Sequence, residues 1–305
     1  MILSVVICTH NPRPDYMDRT LAALQGQTLA REEWELLIVD NLSDIALNGV
    51  LDLAWHPRNR IIREEVLGTL PARVRGLLEA KADLILFVDD DNLLASNYLE
   101  QAVSLGSSHP FLGVWGGTNL PDFEVPPPAW IDDFRHLLAC AVVEEDCWSN
   151  LKFSYATIPP TAGMCLRRVV ADAFVASVQN DPRRKCLGRV GKHQLTGAED
   201  MDLAMTACDI GLGTGLFTCL QLTHLIPAYR LTEDYMLRLS EGAAYCAHLL
   251  HALRGRPPTH NRSSGVRTIL GSLRRHLFWS SRRRRHFEGQ LRALQNACKL
   301  TATWH

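Results

Sequence analysis

The sequence predicts an α/β fold: a mostly parallel central sheet flanked by helices, with a helical C-terminal extension. Three observations predict it. Short apolar runs alternate with segments of helical spacing, which is the pattern of βαβ units. Two of those runs, Trp34–Val39 and Leu84–Val88, end directly in aspartate. No apolar run reaches the length needed to cross a bilayer.

The elements follow in order. Ser4–Cys8 reads as a buried strand, stopped by the polar turn Thr9-His10-Asn11-Pro12. Tyr16, Leu21 and Leu24 fall at helical spacing. Trp34–Val39 is a second strand ending in Asp40-Asn41, and Ile61-Ile62 marks a short third. Leu67–Pro71 reads as a loop into a helix over Ala72–Ala80. Leu84–Val88 is a strand that runs into Asp89-Asp90-Asp91-Asn92. Asn97–Glu100 forms a capping box opening a helix to about Ser107. Phe111–Trp115 is another strand. After Pro126-Pro127-Pro128, Trp130–Val143 reads as an aromatic-containing helix, and the change of character there divides the domain.

In the second half, Ala162-Gly163 is a tight turn entering a strand, or a place where backbone approaches a ligand closely. Gln179–Leu195 is polar and irregular, and its Arg183-Arg184-Lys185 is either solvated or part of a loop over an anionic site. Glu199, Asp200 and Asp202 stand at the first turn of a helix reaching Ile210, where the helix dipole alone favours acids. Gly211–Gly215 is a helix stop, lacking the pattern of a phosphate loop. Leu216–Leu222 is a strand followed by His224, and Leu231–Leu253 is a long amphipathic helix capped by Thr232. Arg256 to Gly265 is a linker by composition. The tail carries Arg274-Arg275 and Arg282–Arg285, with Leu273, Leu277 and Phe278 among them. Such a helix either caps the domain with a solvated basic face or lies peripherally on an anionic membrane surface. The expected divisions are residues 1–115, 116–235 and 236–305.

Composition narrows the classes. A net charge of −1 gives no signal for nucleic acid, and no recognised nucleic-acid module accompanies the arginines. The nine cysteines are odd in number and never in a CxxC pair, so they read as reduced thiols of a cytoplasmic protein. Met1–Cys8 lacks the basic start of a signal peptide. Ligands of open α/β sheets bind outside the carboxyl ends of the strands. Three adjacent anions at such an end repel one another unless a cation neutralises them. Oxygen ligands beside a nucleotide phosphate suit Mg²⁺ or Mn²⁺.

The order of motifs resembles a family 2 glycosyltransferase with the GT-A fold and its Rossmann-like sheet. The matching stretches are Ser4–Asn11, Leu37–Asn41, Ala72-Arg73 ahead of Gly76, Phe87–Asn92, Ala162-Gly163-Met164 before Arg167, and Gly197–Asp200. They span residue 1 to about 235, and the tail lies outside them. The usual Ala-Arg-Asn of that family reads Ala72-Arg73-Val74 here.

The resemblance implies an inverting, metal-dependent transfer from a nucleotide sugar, with UDP as the expected carrier, to a saccharide or lipid-linked acceptor. Surface polysaccharide or glycoconjugate assembly, in the cytoplasm or peripherally at the inner face of the membrane, is the implied setting. Thr9, His10, Asn11, Asp40, Arg73, Asp89 and Asp90 would hold the nucleotide sugar. Asp89 and Asp91 match the DxD motif, and Asp91, Asp89 and His224 would bind Mn²⁺ or Mg²⁺. Asp200 matches the catalytic base, with Glu199 orienting it or the acceptor. His224 also reads as a hydrogen-bonded structural histidine, and both readings stand. A nucleotidyltransferase should show a Gly-rich basic loop after the first strand, which Thr9–Pro12 is not. A non-catalytic scaffold should have lost the DxD or Glu-Asp acids, and both are intact.

Overall fold

Residues that alternate between two apolar faces form the centre of the sheet. In the computed structural model, which describes residues 1–190, 195, 197–258 and 279–304, β1 (Leu3–Thr9) pairs in parallel with both β2 (Trp34–Asn41) and β4 (Leu84–Val88). Val5, Ile7, Leu36, Ile38 and Leu86 join one core, and Val6, Leu37, Val39, Ile85 and Phe87 the other. A strand covered on both faces needs this continuous apolar run. β3 (Asn59–Glu64) closes the edge beside β2 and is only partly buried, which suits its Arg60 and Arg63.

The remaining strands extend the sheet beyond β4. They are β5 (Asn92–Leu94), β6 (Leu112–Phe123), β7 (Cys147–Ser149), β8 (Cys165–Arg167) and β9 (Gly213–Ile226). The order is β3-β2-β1-β4-β8-β6-β9-β5, with β7 also on β9. Parallel ladders are the long ones, and each antiparallel ladder pairs only two or three residues. β6 carries the chain across residue 115, so both halves share one sheet.

The first face is covered by α1 (Pro14–Gln25) and α3 (Tyr98–Ser108), the second by α2 (Thr69–Glu79), α4 (Arg168–Asn180) and α5 (Glu199–Asp209). α6 (Glu233–Leu253) and α7 (Ser281–Thr301) pack on each other outside these layers. Arg282 pairs with Glu233 at 3.0 Å, Arg285 with Glu233 and Asp234, and Arg292 with Glu241 at 2.6 Å. Arg282 also lies over Trp130. Leu273, Arg274, Arg275, Leu277 and Phe278 lie outside the described residues, as do residues 259–265 of the linker. Among the described residues no helix is long and apolar enough to cross a membrane.

Several elements differ from the sequence expectation. α2 starts at Thr69, because Pro71 falls in the first turn, where no intrahelical N–H bond is lost. The capping box is not made: Asn97 caps nothing through its side chain, and Glu100 accepts instead from Thr28 Oγ1 at 2.8 Å. Trp130–Val143 is not an α-helix. Residues Ala129–Leu138 are 3₁₀, with Ile131 and Phe134 buried three apart, and left-handed Ala139 ends the run. The segment read as irregular holds the end of α4 and a 3₁₀ turn, Pro182–Leu187. His224 lies inside β9, which begins at Gly213 and runs past it.

Ala162-Gly163 does form the tight turn into β8. Gly163 has φ +78°, and an added Cβ would meet Tyr98 Oη and lie 2.7 Å from Leu222 Cδ2. Gly163→Ala is therefore expected to cost roughly 1–2 kcal/mol for the left-handed backbone and about 1–3 kcal/mol for overpacking. Gly49 has φ +83° with nothing within 4 Å of an added Cβ, so Gly49→Ala should show the backbone part alone. Urea unfolding of both variants checks this, and equal losses would remove the packing argument.

Candidate active site

Register brings the polar strand ends to one edge. Thr9 pairs with Asp40 across β1 and β2, and Ile7 pairs with Val88, the last residue before Asp89. β5 runs antiparallel to β9 with Asn92 opposite His224, which sets Asp91 beside that histidine. A cleft of about 730 Å³ opens at this edge. Thr9, His10, Arg73, Asp89, Asp90, Asp91, Glu199, Asp200 and His224 all line it. The opposite wall is largely apolar, built from residues 137–141 with Tyr155 and Ile158–Pro160.

Two charged groups face the cleft. In the first, Asp91 Oδ2 lies 3.3 Å from His224 Nε2 and 3.5 Å from Arg230 Nη2, while Oδ1 accepts from Asn92 Nδ2 at 3.1 Å. Burial raises the Asp91 pKa, but His224 and Arg230 outweigh it and hold the carboxyl below its usual range. Burial would strip His224 of its proton, yet Asp91 pushes its pKa up to about 10. Asp90 accepts from Thr9 Oγ1, and burial together with the Asp91 charge raises it to about 7. Burial also raises Asp89, which feels Arg73 on one side and Asp91, His224 and Arg230 on the other.

The second group stands at the start of α5. Glu199 is buried and pairs with Arg73, one turn into α2. Asp200 accepts from the Met201 N–H at 2.7 Å. Burial and the Glu199 charge raise its pKa, opposed by Arg73. Asp202, two residues on, points away from the cleft into Arg184 and Arg254.

Some expected residues stand behind the cleft wall. Asp40 is 1% exposed and is not among the lining residues. Its oxygens accept from Ser43 N at 2.9 Å, Leu47 N at 3.2 Å and Arg63 Nη1 at 2.8 Å. Asn11, at φ +50°, exchanges hydrogen bonds with Ser43 and Asp44, again behind the wall. Asn41, read as a strand end with no role of its own, does line the cleft; its side chain bonds Val66 O and Gly68 N and fixes the approach to α2. Arg189 was equally unmarked. Its backbone exchanges two 2.9 Å hydrogen bonds with Thr69, and it lines the cleft. The neighbouring Arg183 and Arg184, which the charge cluster had pointed to, are taken up by Asp181 and Asp202.

Among the described residues no group of three or more His, Cys, Asp and Glu side chains converges as a complete metal site. Asp91 Oδ2 and His224 Nε2 do face each other at 3.3 Å. Adjacent ligands of an octahedral ion with ~2.1 Å bonds are about 3 Å apart, and Mg²⁺ sites commonly use one or two protein ligands with substrate phosphates completing the shell. With His224 neutral, the pair has the spacing of two ligands of one divalent ion.

Residues 4–171, more than half of the chain, match the model of glycosyl transferase family 2. A glucosyl-dolichyl phosphate glucuronosyltransferase of Haloferax volcanii is 26% identical over 144 residues, covering 46% of this chain and 45% of that protein. A validoxylamine A glucosyltransferase of Streptomyces hygroscopicus subsp. jinggangensis is 35% identical over 107 residues, covering 34% of this chain and 25% of that one. The chain thus spans less than half the length of these curated relatives. Among solved structures, S. aureus TarS residues 1–349 in complex with UDP-GlcNAc superposes with a TM-score of 0.55 at 16% identity, over 97% of this chain and 80% of that one. That likeness extends the fold to nearly the whole chain. The chain belongs to glycosyl transferase family 2.

Proposed function

We propose that the chain moves a sugar from a nucleotide sugar, UDP-linked, to a hydroxyl of a saccharide or lipid-linked acceptor, with inversion at the anomeric carbon. The observation that carries this reading is the pair of carboxylate groups on one cleft: Asp89–Asp91 with His224 and Arg230, and Glu199-Asp200 with Arg73. The names of the two sequence relatives, a glucosyl- and a glucuronosyltransferase, support a hexosyl donor. UDP is adopted by analogy with the TarS complex. Cytoplasmic assembly of a surface polysaccharide or glycoconjugate is the proposed setting.

In this reading residues 1–115 hold the nucleotide and 116–235 hold the acceptor. Thr9, His10 and Asp90 face the nucleoside, while Asn11 and Asp40 act from behind by fixing the loop after β2. Asp91 and His224, with Asp89 beside them, would hold Mn²⁺ or Mg²⁺. Such an ion, when bound, neutralises charge on the departing diphosphate. Asp200 takes the proton of the acceptor hydroxyl as its oxygen bonds to the anomeric carbon. The bond from that carbon to the diphosphate breaks, and its electron pair leaves with the diphosphate. Glu199, held by Arg73, fixes the start of α5. The described part of 236–305 caps the fold: Arg282, Arg285 and Arg292 are engaged by α6, which favours the cap over a membrane-surface helix.

A thermal-shift panel of nucleotide sugars with and without Mn²⁺ tests the reading. A ligand at 100 times its Kd stabilises the folded state by about 2.7 kcal/mol. At least one UDP-sugar should raise the Tm, more so with Mn²⁺, and Asp91→Ala should lose the Mn²⁺-dependent part. A panel with no shift, or an unaltered Mn²⁺ increment in Asp91→Ala, would overturn it.

A further inference from the structure

Three groups meet at one point in the cleft. Arg230 Nη2 is 3.5 Å from Asp91 Oδ2, Arg230 Nη1 is 3.3 Å from His224 Nε2, and Asp91 Oδ2 and His224 Nε2 are 3.3 Å apart. The two atoms offered to a divalent ion are thus the atoms the guanidinium touches. An ion bound at ~2.1 Å to both would press directly on that guanidinium. Even unit charges 4 Å apart repel by about 4 kcal/mol at an effective dielectric of 20. Ion and guanidinium thus compete for the same two atoms.

Arg230 is held by Asp91 and by the Tyr229 side chain, but not through every donor. Its 3.5 Å contact to Asp91 exceeds normal hydrogen-bond length. Its Nε is buried with no hydrogen-bond partner. The residue sits on the short 3₁₀ turn Ala228–Leu231 between β9 and α6, and its side chain lines the cleft. An arginine with an unused donor suits a second anion, and its planar fork matches phosphate oxygens.

We propose that Arg230 is an exchangeable countercharge: with His224 it neutralises Asp91 in the ligand-free enzyme, yields its place to the divalent ion, and passes to the donor diphosphate. The inference rests on the metal reading given above. It makes ion and nucleotide binding mutually dependent. Without nucleotide, the ion must evict an arginine that has no new partner. With nucleotide, the diphosphate receives it. By linkage each ligand then raises the affinity of the other by the same factor.

Mn²⁺ binding measured by EPR of the free aquo ion, with and without UDP, tests this apart from activity. In the wild type UDP should raise Mn²⁺ affinity, within the roughly 5–150-fold range of such couplings. Arg230→Met should bind Mn²⁺ without UDP about tenfold or more tightly than wild type, with the effect of UDP shrinking toward none. Arg230→Lys keeps the charge and should stay weak without UDP. Arg189→Met removes another cleft cation that has no contact with Asp91, and should leave Mn²⁺ binding without UDP unchanged. Thermal unfolding confirms that each variant is folded. Should the wild type bind Mn²⁺ with UDP while Arg230→Met binds it no tighter without UDP, the exchange is wrong and the metal site survives. An Arg189→Met gain equal to that of Arg230→Met would also overturn it, leaving only a general field. Absence of Mn²⁺ binding in wild type and variants alike, with UDP present, removes the metal site and the exchange together.

Discussion

Asp200→Asn is expected to lower the rate of sugar transfer by about 10²–10⁴-fold, the usual worth of a positioned general base, while nucleotide-sugar binding stays near wild type. The substitution keeps the shape of the side chain and an oxygen for the Met201 N–H. It removes only the capacity to take a proton. Burial and the Glu199 charge raise the Asp200 pKa, so the carboxylate is more basic than a solvated one. The acid limb of the rate profile should accordingly lie above the ordinary carboxylate range. Arg73 opposes this rise, so a neutral residue there should move that limb to higher pH. Single-turnover transfer, paired with calorimetric titration of the nucleotide sugar, separates the possibilities. Undiminished turnover would place the base elsewhere. Loss of nucleotide-sugar binding would make Asp200 a structural residue.

Asp200 illustrates how far the sequence was legible. The apolar runs of β1, β2 and β4 were readable because a strand covered on both faces must be apolar throughout. Their aspartate ends marked the edge where ligands bind. β5 and β7 have three residues each, too few for any period to show. The 3₁₀ run before Ala139 looked α-helical because its apolar spacing serves both helix types. Register decided the rest. Asp40 looked like a ligand-facing acid, but the residue paired with it on β3 is Arg63, which takes its charge. No local pattern announces a partner 23 residues away. The shared contact of Arg230 with Asp91 and His224 needs β5 and β9 to be paired.

Asp200 and Asp202, both in the first turn of α5, look alike in sequence and should behave in opposite ways. Residues two apart on an α-helix point about 200° from each other, so when Asp200 faces the cleft, Asp202 faces inward. There it is 1% exposed, with Arg254 Nε and Nη2 at 2.8 and 2.7 Å from Oδ1 and Arg184 on Oδ2. The Arg254 side chain is itself 5% exposed. Asp202→Ala strands two guanidinium groups that are largely shielded from water, although Arg254 keeps Asp209 at 2.9 Å. Breaking a buried pair by removing one partner costs roughly 3–5 kcal/mol, and that loss is expected in urea unfolding. Asp15→Ala, which removes the exposed partner of Arg13, should stay within about 0.5 kcal/mol of wild type. Asp200 has the reverse sign. Its folded-state pKa is raised, so its ionised form opposes folding at neutral pH. Asp200→Asn should therefore leave stability unchanged or higher while activity collapses, and Asp202→Ala should lose stability first. A large stability loss in Asp200→Asn, or none in Asp202→Ala, would mean that the inward and cleft-facing sides of α5 have been assigned the wrong way round.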